Sequence, residues 1–230
     1  MSRSFGIVDY KTCQTEFFLR RIRDGEGNFF AAQCFTDAFV SSARSITFAL
    51  QSGCGEIPGS AEWYLVQQNR LKADSIAQFF HRYRTASVHI GDTVVRGGSL
   101  YRDADGQQHI VYFFSEVPDI SDPPEEDVYS VCRKYFIMIL WIVLDAYRKF
   151  SFHIDERWYF TVENFQRLGK SIEDAEQELG FPRGWTDIGP QMHLAKRWRI
   201  LRSTQTIGCG INHLFDEYLS EHFSGPDEDD

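Results

Sequence analysis

Arg84 and His89 are the two residues of this sequence whose types and spacing could best support a chemical reaction. A histidine can take up or release a proton near neutral pH, so it can act as a general acid or base. The planar guanidinium of arginine suits phosphate oxygens and stabilises charge that develops on phosphorus. Together the two side chains could cleave a phosphodiester bond of RNA without a metal ion.

A predicted amphipathic helix, residues 74–89, must position this pair. Asp74 is a typical N-cap residue, Phe79 and Phe80 lie on the apolar face, and Gly91 is expected to end the helix. Five residues turn an ideal helix by about 500°, so Arg84 and His89 point about 140° apart. One copy of the pair therefore does not predict a tight site by itself.

Three neighbouring residues of the same helix are candidate substrate-binding residues. Arg82 lies seven positions before His89, nearly on one helix face with it, and is the alternative arginine. Thr85 could orient or contact a phosphate, and His81 could help to bind one. A solvated surface histidine is the alternative interpretation of His81.

Two other arginine–histidine pairs have similar spacing. Arg148 and His153 close the most apolar predicted helix, where a cation interacts favourably with the helix dipole, so a structural role is favoured there. Arg102 and His109 fall in a predicted β-hairpin. The flanking sequence of Arg84 and His89 makes that pair the preferred candidate, with a structural or degenerate pair as the alternative.

Residues 71–91 resemble the motif helix of the HEPN superfamily, whose members are helical bundles with an R-x(4–6)-H ribonuclease signature. The shared features are an acid-capped helix, the Phe79–Phe80 pair, an arginine, a polar residue and a closing histidine. The predicted helix 28–51 fits the expected bundle. Thr85 departs from the family, whose members often carry Asn, Asp or His at that position.

The resemblance implies a metal-independent RNA endonuclease, a toxin or a phage-defence effector, that leaves a 2′,3′-cyclic phosphate and a 5′-hydroxyl. His89 would be the acid or base, and Arg84 would stabilise the transition state. The family's arrangement implies a homodimer, RNA as substrate, an antitoxin or regulatory partner, and neither cofactor nor metal. The alternative is a non-catalytic HEPN-like dimeric scaffold, or a protein that binds a nucleotide or a partner.

Composition limits these hypotheses. The 230 residues are 43% hydrophobic and 25% charged, which predicts one large or two small globular domains and excludes a disordered chain. The net charge of −9 argues against non-specific coating of nucleic acid. Residues 70–102 and 188–215 are nevertheless basic, so they could form a small anion site or solvated faces.

Targeting and cysteine signals favour a cytoplasmic protein with no membrane contact. The five cysteines include no CxxC motif, which is typical of buried thiols in a reducing compartment. The longest apolar run, residues 135–144, is half the length that a membrane-spanning helix needs. No zinc motif, calcium loop, P-loop or nucleophile elbow occurs in the sequence.

The predicted fold is mainly α: a HEPN-like helical bundle with a β-hairpin insertion and additional C-terminal helices. We expect a HEPN-like region at 1–117, with the hairpin at about 93–115, and then an acidic, proline-rich linker at 118–127. A C-terminal helical region at 128–224, which could belong to the same core, and an acidic tail at 225–230 complete the expected organisation. The predicted helices are 9–23, 28–51, 60–71, 74–89, 128–150, 161–179, 189–202 and 207–223. Asn28 and Ser60 are the expected N-caps of the second and third helices, residues 103–106 form the expected turn of the hairpin, and Trp198 would pack inward if the basic residues of helix 189–202 form a solvated face.

Overall fold

The chain forms two compact units. The N-terminal unit is Tyr10–Ile142, and the C-terminal unit combines Met1–Asp9 with Val143–Asp230. Most of the described residues are helical, and one two-stranded antiparallel sheet accompanies them, which confirms the predicted mainly α class. The computed structural model describes residues 5–25, 28–87, 94–102, 106, 108–118, 120–189, 193–204 and 208–226.

Three helices of the N-terminal unit begin close to their predicted positions: α2 (Phe29–Cys54), α3 (Ser60–Ala73) and α4 (Ser75–Thr85). Helix α1, Gly6–Arg23, precedes them. The Asn28 side chain caps α2 by accepting a hydrogen bond from the Ala31 amide at 3.1 Å, as predicted. The prediction that Ser60 caps α3 was wrong by one residue, because Gly59 is the N-cap and adopts a φ of 78°.

The predicted β-hairpin is confirmed. Strands β1 (Val95–Arg102) and β2 (Gln108–Phe114) pair antiparallel, with Leu100 opposite Ile110. The predicted turn residues 103–105 lie outside the described residues. Phe114 is buried on the inner side of β2, and Gln33 of α2 donates a hydrogen bond to the Val95 carbonyl at 3.0 Å. These contacts hold the hairpin on the helices of the same unit.

The longest helix, α5 (Val128–Ile154), runs four residues past its predicted end. Its backbone leaves helical geometry at Phe150, where φ is −115° and ψ is 16°. The helix is largely buried because apolar side chains surround its middle section. Among the helices in the described parts of the chain, none is long and apolar enough to cross a membrane.

Short helices make up the described remainder of the C-terminal unit: α6 (Glu156–Tyr159), α7 (Val162–Arg167), α8 (Ile172–Glu178), α9 (Leu194–Ser203) and α10 (Asn212–Leu219). The single predicted helix 161–179 was wrong. Gly169, with a φ of 66°, interrupts the chain, and Ser171 and Asp174 then form a capping box that starts α8. Tyr159, Phe165 and Trp198 belong to the buried cluster of this unit.

Candidate functional site

Helix α4 carries four of the five predicted site residues, none of them on its buried face: His81, Arg82, Arg84 and Thr85. It ends at Thr85, four residues before the predicted end. The Asp74 carboxylate caps the helix by accepting a hydrogen bond from the Ala77 amide at 2.9 Å, as predicted. Phe79, Phe80 and Tyr83 are buried, which fixes the orientation of α4 about its axis. His81 and Arg84 are exposed and lie three residues apart, so their side chains leave one face of the helix.

Two hydrogen bonds to one carboxylate hold the last turn of α4 on α2. The Tyr83 hydroxyl donates to Asp37 Oδ1 at 2.8 Å, and the Ser87 hydroxyl donates to the same oxygen at 3.0 Å. Burial, together with the Asp37 charge, raises the pKa of Tyr83 far above its ordinary range. The phenol therefore stays protonated and remains a donor, which fixes the turn that carries Arg82 and Arg84.

Aromatic packing fixes α4 against two more elements of the N-terminal unit. The ring of Phe80 stacks on Tyr135 of α5, with the ring centroids 4.6 Å apart and nearly parallel. Phe79 meets Phe114 of β2 edge to face at 4.8 Å. Pairs of this geometry add to the stability that area burial alone provides.

A pocket of about 410 Å³ opens among α2, α3, α4 and α5 within the N-terminal unit. Its volume falls in the range of small-molecule sites. Most of the buried lining residues are apolar or aromatic, among them Val40, Leu50, Phe80, Tyr135 and Ile142. Thr47 and Gln67 are buried polar residues of the same lining. The more exposed lining includes five basic residues: Arg44, Lys72, His81, Arg82 and Arg84.

The pocket has a strongly positive local charge. No Asp or Glu occurs among the described residues that line it, and Arg44, Lys72, Arg82 and Arg84 each carry a positive charge at neutral pH. The whole chain has a net charge of −9. A cluster of like charges in a concave, partly apolar site focuses the electrostatic field on an anion that enters it.

The basic side chains differ in how far they are already engaged. Arg44 donates to the Thr47 hydroxyl at 3.1 Å and lies over the ring of Phe48 at 4.5 Å from its centroid. Arg82 Nη2 lies 3.4 Å from Asp122 Oδ1, but the Asp122 side chain is 78% exposed, so solvent weakens this pair. Lys72 and Arg84 form no ion pair with any residue that the structure describes.

Arg82 has a further unmet donor. Its Nε atom is buried and lacks a hydrogen-bond partner among the described atoms. A buried donor without a partner is unfavourable, and an acceptor from a bound anion would relieve this penalty. The guanidinium can therefore donate a further hydrogen bond to an acceptor in the pocket.

Tyr135 provides a neutral polar group at the buried side of the pocket. Burial raises the pKa of Tyr135 to about 12, and the nearby positive charge of Arg44 opposes this rise. The phenol is consequently protonated at neutral pH. Tyr64, another lining residue, donates its hydroxyl hydrogen to the Thr47 carbonyl at 2.9 Å and joins α3 to α2.

Three of the five predicted site residues come together in this pocket: Arg84, Arg82 and His81. Thr85 is exposed and does not line it; its hydroxyl donates to the His81 carbonyl at 3.2 Å, one turn back along α4. His89, the predicted acid or base, lies outside the described residues. The structure thus describes the basic side chains of the predicted site but not its predicted acid or base.

The alternative arginine–histidine pairs lie elsewhere. Arg148 forms a salt bridge to Glu221 within the C-terminal unit, at 2.5 Å. Burial, assisted by the charge of Arg167, lowers the pKa of His153, which disfavours its protonated form. In the hairpin, Arg102 pairs with Gln108 and His109 pairs with Tyr101.

Two of the four basic residues of α9 are engaged within the C-terminal unit. Arg197 has a side chain only 12% exposed and donates to Glu173 at 2.9 Å and to Glu176 at 3.3 Å. Arg202 donates to the Phe160 carbonyl at 3.3 Å. These two cations stabilise the C-terminal unit, with Trp198 buried as the sequence predicted.

Sequence reasoning missed Arg44, and it included Lys72 only as one residue of the basic segment 70–102. The signal for Arg44 was present: Val40, Arg44 and Thr47 follow the spacing of four and three that marks one helix face, so Arg44 interrupts an otherwise buried stripe of α2. A charged residue at such a position indicates a site or an ion pair. Lys72 carries no comparable signal, because lysine near the end of a helix is common.

No metal centre is formed by the described residues: no group of three or more His, Cys, Asp or Glu side chains among them could hold an ion. No disulfide joins the five cysteines; Cys132 is buried as predicted, Cys54 is buried although its Gly-rich segment did not predict it, and Cys34 is exposed. Comparisons with protein-family models, with curated proteins and with solved structures give no match to the chain.

Proposed function

We propose that the protein is a metal-independent RNA endonuclease of HEPN type that binds the scissile phosphate in the basic pocket. One observation carries the proposal: five basic side chains converge on one pocket, and none of the described residues that line it is acidic. The five are Arg44, Lys72, His81, Arg82 and Arg84. Such a site attracts a polyanion, and its guanidinium groups match phosphate oxygens.

The chemistry of RNA suits this set of groups. RNA carries its own nucleophile, the 2′-hydroxyl, so cleavage requires proton transfer and stabilisation of charge on the phosphate. The 2′-oxygen forms a bond to phosphorus while the bond from phosphorus to the 5′-oxygen breaks. Arg84, assisted by Arg82, stabilises the negative charge, and His89 exchanges a proton with one of the two oxygens. The products are a 2′,3′-cyclic phosphate and a 5′-hydroxyl.

The resemblance adds the expected assembly and setting. A homodimer would bring two motif helices together across one cleft. It would compensate for the angle of about 140° between Arg84 and His89 on one ideal helix. A toxin or phage-defence role, with an antitoxin or regulatory partner in the cytoplasm, follows from the same resemblance and belongs to this proposal.

Cleavage of total RNA in the presence of EDTA tests the proposal. We expect the wild type to cleave, His89→Ala to lose about 10²–10⁴-fold in rate and Arg84→Ala about 10²–10³-fold. Arg70→Ala is the matched control, because Arg70 is exposed on α3 and does not line the pocket. The cyclic phosphate is identified by its resistance to phosphatase, which is lost once acid opens it to a monophosphate.

Cleavage that needs a metal ion, or that is equally fast in both variants, would overturn the proposed function. Tight binding of RNA or a nucleotide by a wild type that does not cleave would favour the alternative, a non-catalytic HEPN-like scaffold or binding protein.

A further inference from the structure

His81 is placed differently from an ordinary surface histidine. Its side chain is exposed, yet it lines the basic pocket beside Arg84, three residues away on the same face of α4. The other basic lining residues surround the same cavity, and no described carboxylate among the lining residues could hold the imidazole in an ion pair. Both ring nitrogens can thus face a ligand.

The proposed reaction needs two proton transfers. One group must remove the proton of the 2′-hydroxyl as the oxygen–phosphorus bond forms, and one group must donate a proton to the 5′-oxygen as it leaves. His89 supplies one histidine for each motif. Arginine cannot exchange a proton at neutral pH, so Arg44, Arg82 and Arg84 can only bind and stabilise charge.

We propose that His81 is a second catalytic residue of this site and carries out one of the two proton transfers; this inference rests on the proposed function. The imidazole is the group in the described pocket lining that can exchange a proton near neutral pH. The same transesterification remains balanced: one proton leaves the 2′-oxygen for a base, and one proton reaches the 5′-oxygen from an acid. No oxidant, reductant or metal is consumed.

A purely binding role for His81 makes a different prediction. A residue that only holds the phosphate lowers KM, because it stabilises the ground state and the transition state equally. A proton-transfer residue acts on kcat and creates one limb of the bell-shaped dependence of kcat/KM on pH.

The experiment is steady-state cleavage of a short RNA by wild type, His81→Ala and His213→Ala across a pH series. His213 is an exposed histidine of α10, in the C-terminal unit, and serves as the matched control. We expect His81→Ala to lower kcat about 10²–10⁴-fold with little change in KM, and to remove one limb of the pH profile. Imidazole added to the buffer is expected to restore part of the lost rate in this variant.

Three outcomes would overturn the inference. If the wild type cleaves and His81→Ala cleaves equally fast, His81 has no role. If His81→Ala raises KM at unchanged kcat and pH profile, His81 only binds. If the wild type cleaves no RNA, the proposed function fails and this inference fails with it, which distinguishes that result from the first two.

Discussion

Arg82 and Arg84 line one pocket although two residues turn a helix by about 200°. Long arginine side chains can reach around the helix surface while their aliphatic stems stay against apolar neighbours. The buried Tyr83 lies between them and fixes the backbone from which both extend. At the scale of the residue, the site therefore depends on one buried ring and two adaptable cations.

Arg84→Ala should weaken RNA binding and make it less dependent on salt. Each phosphate contact with a single strand contributes about −0.7 to the slope of log affinity against log salt concentration. Loss of the Arg84 contact should thus make the slope less steep by about 0.7. Fluorescence anisotropy with a 2′-O-methyl RNA, which cannot be cleaved, measures this slope, and Arg70→Ala should leave it unchanged. Equal slopes for wild type and Arg84→Ala would contradict a contact with phosphate.

Asp9 in the C-terminal unit makes folding depend on pH. Burial raises its pKa above the ordinary value, with a smaller contribution from the Asp155 charge, although the Tyr147 hydroxyl at 2.6 Å and the Gly210 amide at 3.0 Å donate to it. Since the pKa is higher in the folded state, protonated Asp9 favours folding. This contribution is complete below the pKa of the unfolded chain and is lost as the pH rises through the folded-state value.

Asp9→Asn removes that titration. We expect the free energy of unfolding of Asp9→Asn, relative to wild type, to increase as the pH rises from about 4 to about 7. Urea unfolding at several pH values measures the difference. Asp187→Asn, at an exposed position, is the matched control. A pH-independent difference for Asp9→Asn would show that Asp9 titrates normally.

At the scale of the element, α4 is held by contacts on three sides: Asp37 on α2, Tyr135 on α5 and Phe114 on β2. The cap at Asp74 decides where α4 starts, and the Tyr83–Asp37 hydrogen bond holds its last turn. The pocket keeps its shape because α4 cannot rotate without exposing its aromatic face. Its basic residues are thereby preorganised for an anion.

Tyr83→Phe should loosen this last turn. The variant keeps the buried ring but removes the donor to Asp37, which leaves that carboxylate with the Ser87 hydroxyl as its described side-chain donor. We expect a loss of about 1–2 kcal/mol in the free energy of unfolding, measured by urea denaturation. Tyr10→Phe, at a position 60% exposed, should be neutral. A neutral Tyr83→Phe would mean that packing alone positions α4.

At the scale of the whole molecule, the chain has a net charge of −9, whereas the described lining of the pocket in the N-terminal unit is basic. For the proposed RNA substrate, this net charge opposes non-specific binding through long-range repulsion, whereas a phosphate that enters the pocket meets a positive potential. This arrangement favours a limited set of targets over coating of any nucleic acid.

The proposed homodimer is measured by light scattering coupled to size-exclusion chromatography. We expect a mass that corresponds to two chains at the concentrations at which RNA is cleaved, because the resemblance implies a homodimer that brings two motif helices together. A one-chain mass for a preparation that cleaves RNA would contradict the dimer and require both groups of the site to come from one chain.

Local signals determined much of the fold. Asn28 and Asp74 are side chains that satisfy free amides at a helix start, so their positions fixed where α2 and α4 begin. Two short segments rich in Val, Ile, Tyr and Phe, with a turn signal between them, predicted the hairpin. The wrong prediction of a single helix at 161–179 also has a local cause. The helical periodicity of the segment was given more weight than Gly169 and the capping box at Ser171, although both signals are present in the sequence.

The candidate site was only partly accessible from the sequence. Residue types and spacing on α4 pointed to Arg82, Arg84 and His81, because one helix presents them together. Arg44 on α2, Lys72 on α3 and the Tyr135 ring on α5 joined them through packing. Helical periodicity states which face of a helix is buried, but it does not state which other helix covers that face. Only the tertiary structure could therefore decide that four helices converge on one positively charged pocket.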